Sequence, residues 1–148
     1  MDPTSLTNRI VLSYIQRDRE LAFAVAEVLR EEGFKVWDER DLPAGEPWES
    51  GIVTALKQSD SMIALLSPFA WSSAWVRTQL EHAFFDERYK NRLLPVLLGL
   101  SMPEFSKIPW ILTRMDFIRL NDNEPTKSRA THIVNMFIEM LKSSAADK

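Results

Sequence analysis

The sequence predicts an α/β protein of one domain, in which a parallel β-sheet lies between two layers of helices. Apolar runs rich in β-forming residues alternate with helical patterns from residue 9 to residue 142. The run from Met62 to Leu66 is apolar at every position, as in a central strand that helices cover on both sides. The 148 residues, 45% hydrophobic and 26% charged, fit one ordinary globular domain with a core of its own.

The first half of the chain contains two strands and two helices. A first strand is predicted near residues 9–14, and Asp18 is expected to cap the helix that follows it. Gly33 ends that helix, and residues 34–37 alternate as a second strand. Pro47 fits the first turn of a second helix. The apolar positions of this helix recur with helical spacing at Trp48, Ile52, Ala55 and Leu56.

The second half continues the alternation. A third strand is predicted near residues 61–66, and Ser72 or Ser73 is expected to cap a third helix. A fourth strand near residues 92–98 contains Pro95, which requires a bulge or an unpaired edge position because proline has no N–H. A fifth strand near residues 116–120 precedes a last helix. Its apolar positions are Ile133, Val134, Phe137, Ile138 and Leu141.

Such an alternation implies parallel strands joined by right-handed crossovers. We therefore expect a flavodoxin-like three-layer sandwich with five parallel strands in the order 2-1-3-4-5 and the second strand at an edge. In such sheets, ligands bind beyond the carboxyl ends of the strands, where the strand order reverses. The loops after strands one, two and three are therefore the expected location of the functional site.

Composition excludes several classes of function. With no cysteine and two histidines, the chain has no disulfide and no cysteine nucleophile, and no metal site is expected. The net charge is −3 without a basic stripe, so direct nucleic-acid contact is not expected. Only four glycines are present, and neither a dinucleotide-binding Gly-x-Gly-x-x-Gly motif nor a P-loop can be built. A receiver domain is also disfavoured, because Ser13-Tyr14 and Ser67-Pro68 stand where acidic residues are required.

Two further expectations concern location. The longest apolar run, Leu93 to Leu100, is far shorter than the roughly 20 residues of a membrane span. The first residues contain neither a positive segment nor an apolar segment of a secretory signal. We therefore expect a cytoplasmic protein that does not cross a membrane.

Candidate site residues follow the first three predicted strands. Ser13 and Tyr14 end strand one, and a charged loop from Asp38 to Gly45 follows strand two. On the third helix, Trp75 and Gln79 are four residues apart and therefore share a helical face. An aromatic ring and a polar group are expected to point together into the cleft above strands one and three.

These residues resemble the TIR (Toll/interleukin-1 receptor) domain family, in detail its bacterial members. The resemblance covers residues 9–142; residues 1–8 are expected to be a leader, and residues 143–148 a tail or the start of a linker. Five pieces occur in order at the family spacing. They are Leu12-Ser13-Tyr14 with Asp18, Gly33 to Trp37, the loop positions Asp38, Leu42, Gly45 and Trp48, then Leu65-Leu66-Ser67-Pro68, and Ser73 with Trp75 and Val76.

The resemblance implies one of two roles: cleavage of NAD+ at the nicotinamide glycosidic bond, or scaffolding through contacts between TIR domains. In the first role, NAD+ is the substrate, no other cofactor is needed, and the product is linear or cyclised ADP-ribose. Family members of this type are often effector parts of bacterial anti-phage defence or signalling proteins that assembly activates. The resemblance also implies a substrate-binding set and an assembly loop. The former comprises Trp75, Ser13, Tyr14, Asp38 and Gly45, and the latter contains Leu42 and Pro43.

Gln79 stands where the family has its catalytic glutamate, four residues after the tryptophan. An amide can replace the hydrogen bonds of a carboxylate but not its charge, a loss expected to cost roughly 3 to 5 kcal/mol of transition-state stabilisation. Glu81 cannot substitute, because it lies about 200° around the helix. Two explanations fit Gln79: a naturally non-catalytic domain used for binding or assembly, or a glutamate-to-glutamine change made to trap an uncleaved ligand.

Some of these residues also have purely structural interpretations. Trp48 belongs to the apolar stripe of its helix and is expected to be a core residue. The segment from Asp38 to Asp41 is interpreted as a solvated charge cluster unless its loop mediates assembly. For Ser13 and Tyr14, a structural hydrogen bond to a neighbouring loop remains an open alternative to ligand binding.

Overall fold

The computed structural model describes residues 9–70, 73–99, 114, 116–120 and 123–146, and its centre is a five-stranded parallel sheet. The strand order is β2-β1-β3-β4-β5, with β2 at one edge, as the sequence predicts. The register pairs Ile10 with Val36 of β2 on one side and with Ser61 of β3 on the other. The strands are β1 (Arg9–Ser13), β2 (Lys35–Trp37), β3 (Ser61–Leu66), β4 (Leu93–Leu98) and β5 (Ile118–Leu120).

Four described helices cover the two faces of this sheet. They are α1 (Arg19–Glu31), α2 (Trp48–Gln58), α3 (Ala74–Phe84) and α4 (Thr126–Ala146). One core cluster joins α1 and α4 to the sheet, and a second cluster joins α2 and α3 to its opposite face. None of the described helices has the length and apolar content of a membrane span.

Successive residues of β1 face opposite clusters. Ile10, Leu12 and Tyr14 belong to the α1/α4 cluster, whereas Val11 belongs to the α2/α3 cluster. Because side chains alternate along a strand, Ser13 lies on the same face as Val11. The strand therefore directs the Ser13 hydroxyl toward α2 and α3.

Pro95 is accommodated as the sequence requires. The carbonyl of Arg92 accepts a hydrogen bond from the Met62 N–H, so Arg92 faces β3. Alternate residues of a parallel strand bond to alternate neighbours, and Pro95 therefore faces the β5 side. The β4–β5 ladder begins at Val96, so no described β5 residue is paired with Pro95.

The helix boundaries confirm some expectations and correct others. Gly33 ends α1 in a left-handed conformation, at φ 95°, and the Oγ of Ser73 accepts a hydrogen bond from the Val76 N–H as the cap of α3. Asp18 occupies the cap position of α1 but makes no capping hydrogen bond. Pro47 is the residue before α2, one position earlier than expected.

The C-terminal helix is longer than expected. Helix α4 continues to Ala146 and includes residues 143–146, which we expected in a tail. Alanine has the highest helix propensity, and Ala145 and Ala146 extend the helix accordingly. The expected leader, residues 1–8, and the alternative cap Ser72 lie outside the described residues.

Candidate functional site

The candidate site lies where the carboxyl end of β1 meets the first two turns of α3. The Oγ of Ser13 donates a hydrogen bond to the Oε1 of Gln79 at 2.7 Å. Both side chains are buried, with 0% of Ser13 and 2% of Gln79 exposed. The sequence predicted both residues separately, and the structure brings them into direct contact.

Among the described residues, the amide nitrogen of Gln79 is a buried donor without an acceptor. Its Nε2 has no hydrogen-bond partner among the residues that the structure describes. A buried donor left unpaired costs about 1–3 kcal/mol. The position therefore favours an additional acceptor, such as an ordered water or an oxygen of a bound ligand.

Trp75 lies one turn before Gln79 on α3. Its side chain is half-buried and packs against the α2/α3 cluster. The ring is thus partly a core element, in the first turn of the helix that Ser73 caps. The helical face shared by Trp75 and Gln79 is the arrangement expected from their spacing.

Tyr14 does not lie beside Gln79. It is 1% exposed and lies in the α1/α4 cluster, on the opposite face of the sheet from Ser13. The alternation along β1 accounts for this separation, because consecutive residues of a strand point to opposite faces.

Asp38 anchors the loop after β2. Its carboxylate accepts hydrogen bonds from the backbone N–H of Arg40 at 2.8 Å and from the Arg40 guanidinium at 2.7 Å. Arg30 of α1 lies 3.5 Å from the same carboxylate, and the Arg40 guanidinium stacks on the ring of Phe23. Asp38 is 0% exposed, so the interpretation of this segment as a solvated cluster is wrong for Asp38. Its charge is buried because two arginines and a backbone N–H compensate it.

The rest of this loop divides into a packed part and an exposed part. The half-buried side chain of Leu42 lies against Gly51 of α2. Pro43 and Gly45 are exposed, and Gly45 has φ 85°, in the left-handed region. The structure describes no contact between this loop and Gln79. Leu42 is therefore a packed residue of the loop, and Pro43 stands at its exposed turn.

One interaction at this edge was not anticipated. The Ser67 hydroxyl donates a hydrogen bond at 2.7 Å to the carboxylate of Asp18, the residue that occupies the cap position of α1 without capping it. Both residues line a cavity of about 330 Å³ at the carboxyl ends of β1, β3 and β4. The predicted strand order puts the loops containing Asp18 and Ser67 side by side. That adjacency is the feature of the sequence analysis from which this hydrogen bond could have been anticipated.

At the opposite end of α3, a second polar cluster connects two helices. Arg88 forms an ion pair with Asp86 at 2.8 Å, and the hydrogen bonds of this pair hold the pKa of Asp86 below its usual value. The Tyr89 hydroxyl donates to the carbonyl of Leu56 at the end of α2, and burial raises its pKa. This cluster attaches the C-terminal end of α3 to α2 and does not contact Gln79.

Comparisons with solved structures place this fold among known proteins. A metazoan TIR-STING receptor from C. gigas, solved with 2′,3′-cGAMP, is 26% identical with a TM-score of 0.66; the match covers 84% of this chain but only 38% of the receptor chain. The TIR domain of the Toll-related receptor TRR-2 from Hydra magnipapillata is 19% identical with a TM-score of 0.65, covering 88% of this chain and 96% of that one.

The TIR domains of the activated Roq1 resistosome are 16% identical, with a TM-score of 0.53 and coverage of 94% and 98%. At such identities, the Hydra and Roq1 likenesses concern the fold alone. No curated protein matches the chain. A family model described as TIR domain matches residues 10–132. Because this match covers most of the sequence, the chain belongs to the TIR domain family.

Proposed function

We propose that this chain is a TIR domain of the bacterial NAD+-cleaving type, in which the amide of Gln79 impairs cleavage but permits nucleotide binding. The observation that supports the proposal is the buried hydrogen bond from Ser13 to Gln79. A glutamate at position 79 could accept the same hydrogen bond with the same geometry. The unpaired amide nitrogen supplies a donor for an oxygen of the ligand.

The proposed reaction breaks the bond between C1′ of the ribose and the nicotinamide nitrogen. The bonding electrons leave with nicotinamide, which becomes neutral, and positive charge develops on the ribose. Water then attacks C1′ and loses a proton, which yields ADP-ribose; attack by an adenine nitrogen of the same molecule yields a cyclised form instead. A carboxylate at position 79 would stabilise the developing cation, whereas an amide supplies only hydrogen bonds.

On this proposal, the intact protein uses its TIR domain as an effector in a bacterial anti-phage defence or signalling system that assembly activates, in the cytoplasm. The C. gigas protein offers a parallel, since it is a TIR-STING receptor whose structure contains 2′,3′-cGAMP. The present chain spans 38% of the length of that receptor chain.

Release of free nicotinamide from NAD+ tests the proposal. We expect release by the Gln79→Glu protein at a rate about two to four orders of magnitude above that of the chain with Gln79. Thr78→Glu is the matched control, because it adds the same charge at an exposed position of the same helix. Equal release by the two glutamate variants, or none from Gln79→Glu, would contradict the proposal.

Ligand binding provides a separate test. Because base or ring stacking on an aromatic side chain is worth about 1–3 kcal/mol, Trp75→Ala should weaken binding of an uncleavable NAD+ analogue about 5- to 150-fold in calorimetry. Gln79→Glu should change this affinity much less than it changes the rate, because the carboxylate acts mainly in the transition state. Unchanged affinity in Trp75→Ala would remove the tryptophan from the site.

The alternative is a non-catalytic module that acts through contacts between TIR domains. The burial of Gln79, which is 2% exposed, favours this alternative, because it restricts the access of a ligand to the amide. Three results together would support the module. They are self-association in analytical ultracentrifugation, no binding of the NAD+ analogue by the chain with Gln79, and no nicotinamide release by Gln79→Glu.

A further inference from the structure

Ser13 ends β1 in a position that leaves its hydroxyl no proton to donate to a ligand. The side chain is 0% exposed, and the register pairs Ser13 with Ala64 of β3. A serine hydroxyl has one proton to donate, and here that proton goes to the Oε1 of Gln79. A role in which Ser13 donates a hydrogen bond to a nucleotide would require this bond to break.

The surroundings of Gln79 make this hydrogen bond important. The buried neighbours of Gln79 on α3 are apolar: Val76, Leu80 and Ala83. Within the part of the chain that the structure describes, the Ser13 hydroxyl is the one side-chain group hydrogen-bonded to the Gln79 amide. The orientation of side chain 79 therefore depends on a single donor from the neighbouring strand.

We propose that Ser13 is a positioning residue: its hydroxyl orients side chain 79 and, when that side chain is a glutamate, holds its carboxylate in place and ionised. The proposal rests on the proposed function for its catalytic consequence. Hydrogen bonds to a carboxylate favour the charged form, whereas burial among apolar groups disfavours it. Ser13 thus offsets the burial that position 79 imposes on a charge.

The experiment compares Ser13→Ala and Ser13→Thr in the Gln79→Glu background. Ser13→Ala removes the hydroxyl without adding bulk, whereas Ser13→Thr keeps a hydroxyl on a residue that suits a strand. Ser61→Ala is the matched control, because Ser61 is another fully buried serine of the sheet, whose hydroxyl contacts Asp60 and Arg92 instead. Thermal melting of each variant establishes that it is folded.

Two measurements separate positioning from a general structural effect. The first is the pKa of the carboxylate introduced by Gln79→Glu, followed by the ¹³C shift of labelled glutamate carboxyl groups as pH changes. We expect Ser13→Ala to raise this pKa by about one unit and Ser13→Thr to restore it. The second is nicotinamide release against pH, where Ser13→Ala should move the acid limb upward and lower kcat about tenfold with little change in KM.

The outcomes distinguish this inference from the proposed function. If Gln79→Glu releases no nicotinamide but Ser13→Ala still raises the pKa, the proposed function fails and the positioning role stands. If Ser13→Ala leaves both the pKa and kcat unchanged, the positioning role is wrong. A Ser13→Thr protein that behaves like Ser13→Ala would also overturn it, because the hydroxyl would then not be the cause.

Discussion

At the scale of single residues, the proposed function puts side chain 79 beside the ribose–nicotinamide bond of NAD+, and the amide of Gln79 carries no charge there. A carboxylate there would favour the charged ring of NAD+ over the neutral ring of NADH by Coulomb attraction, whereas an amide would not. We expect the chain with Gln79 to bind an uncleavable NAD+ analogue and NADH with similar affinity. Gln79→Glu should shift this ratio about tenfold toward the charged analogue.

Calorimetric titration of both ligands into both proteins measures this shift. Thr78→Glu serves again as the control for added charge on α3. If the ratio of the affinities for the NAD+ analogue and NADH is the same in the chain with Gln79 and in Gln79→Glu, position 79 does not face the nicotinamide ring.

Asp86 provides a prediction about the pH dependence of stability. Its pKa is lowered by hydrogen bonds from Arg88, so its ionised form stabilises the fold. This contribution is fully present above the unfolded-state pKa and is lost as pH falls through the lower folded-state value. Asp86→Asn should therefore lower the free energy of unfolding at pH 7, by less than about 1 kcal/mol because the pair is near the surface.

Urea unfolding of both proteins at pH 7 and at progressively lower pH checks this sign. The difference between them should shrink as the carboxylate of Asp86 becomes protonated. A difference that stays constant across the acid range would show that the ion pair with Arg88 is not its source.

At the scale of elements, Gly51 couples the loop after β2 to helix α2. A Cβ at this position would collide with Leu42 and lie 3.0 Å from a ring carbon of Trp37. Alanine improves helix propensity by up to about 1 kcal/mol. We expect Gly51→Ala to be more favourable in the Leu42→Ala protein, where the collision is removed, than in the chain with Leu42, with a coupling of about 0.5 to 1 kcal/mol.

A double-mutant cycle in urea measures this coupling, and hydrogen exchange of residues 42–47 reports whether the loop has left α2. Leu141→Ala, a substitution on the distant helix α4, should show no coupling to Gly51→Ala. Additive effects of Leu42→Ala and Gly51→Ala would mean that the loop does not depend on this contact.

The elements also show what sequence patterns can and cannot predict. Periodicity and the apolar run of β3 predicted the five strands, because one face or both faces of each element must be buried, and the flavodoxin-like class that the alternation implies predicted their order. The spacing of Trp75 and Gln79 likewise predicted their shared face. Partner choice was less predictable: Asp18 bonds to Ser67 instead of capping its helix, and Asp38 is buried because distant Arg30 approaches it. Such pairings depend on tertiary distances that a local pattern does not contain.

At the scale of the whole molecule, the family resemblance implies that the loop from Asp38 to Pro47 takes part in assembly. Its base is held by Asp38 and its middle by Leu42, so the exposed turn at Pro43 is the part available to a neighbour. We predict that nicotinamide release per mole of Gln79→Glu protein rises several-fold as the protein passes from monomer to assembly. Adding Pro43→Asp should reduce both assembly and this rise.

Light scattering and activity measured across the same dilution series test the prediction. Lys90→Gln controls for the same change of one charge unit at an exposed position at the opposite end of the sheet. The same activity per mole in dilute monomer and in assembled protein would mean that catalysis does not depend on assembly.

The order of the strands has a consequence for how the protein is made. The hydrogen bond between Ser13 and Gln79 joins residues 66 positions apart, and β1 must also find β3 across the whole of α1, β2 and α2. Contacts of this sequence separation require closure of long loops and therefore form slowly. During synthesis from the N-terminus, the hydrogen bond from Ser13 to Gln79 cannot form before α3 has left the ribosome. A partly synthesised chain that ends before α3 therefore lacks the contact that fixes side chain 79 against β1.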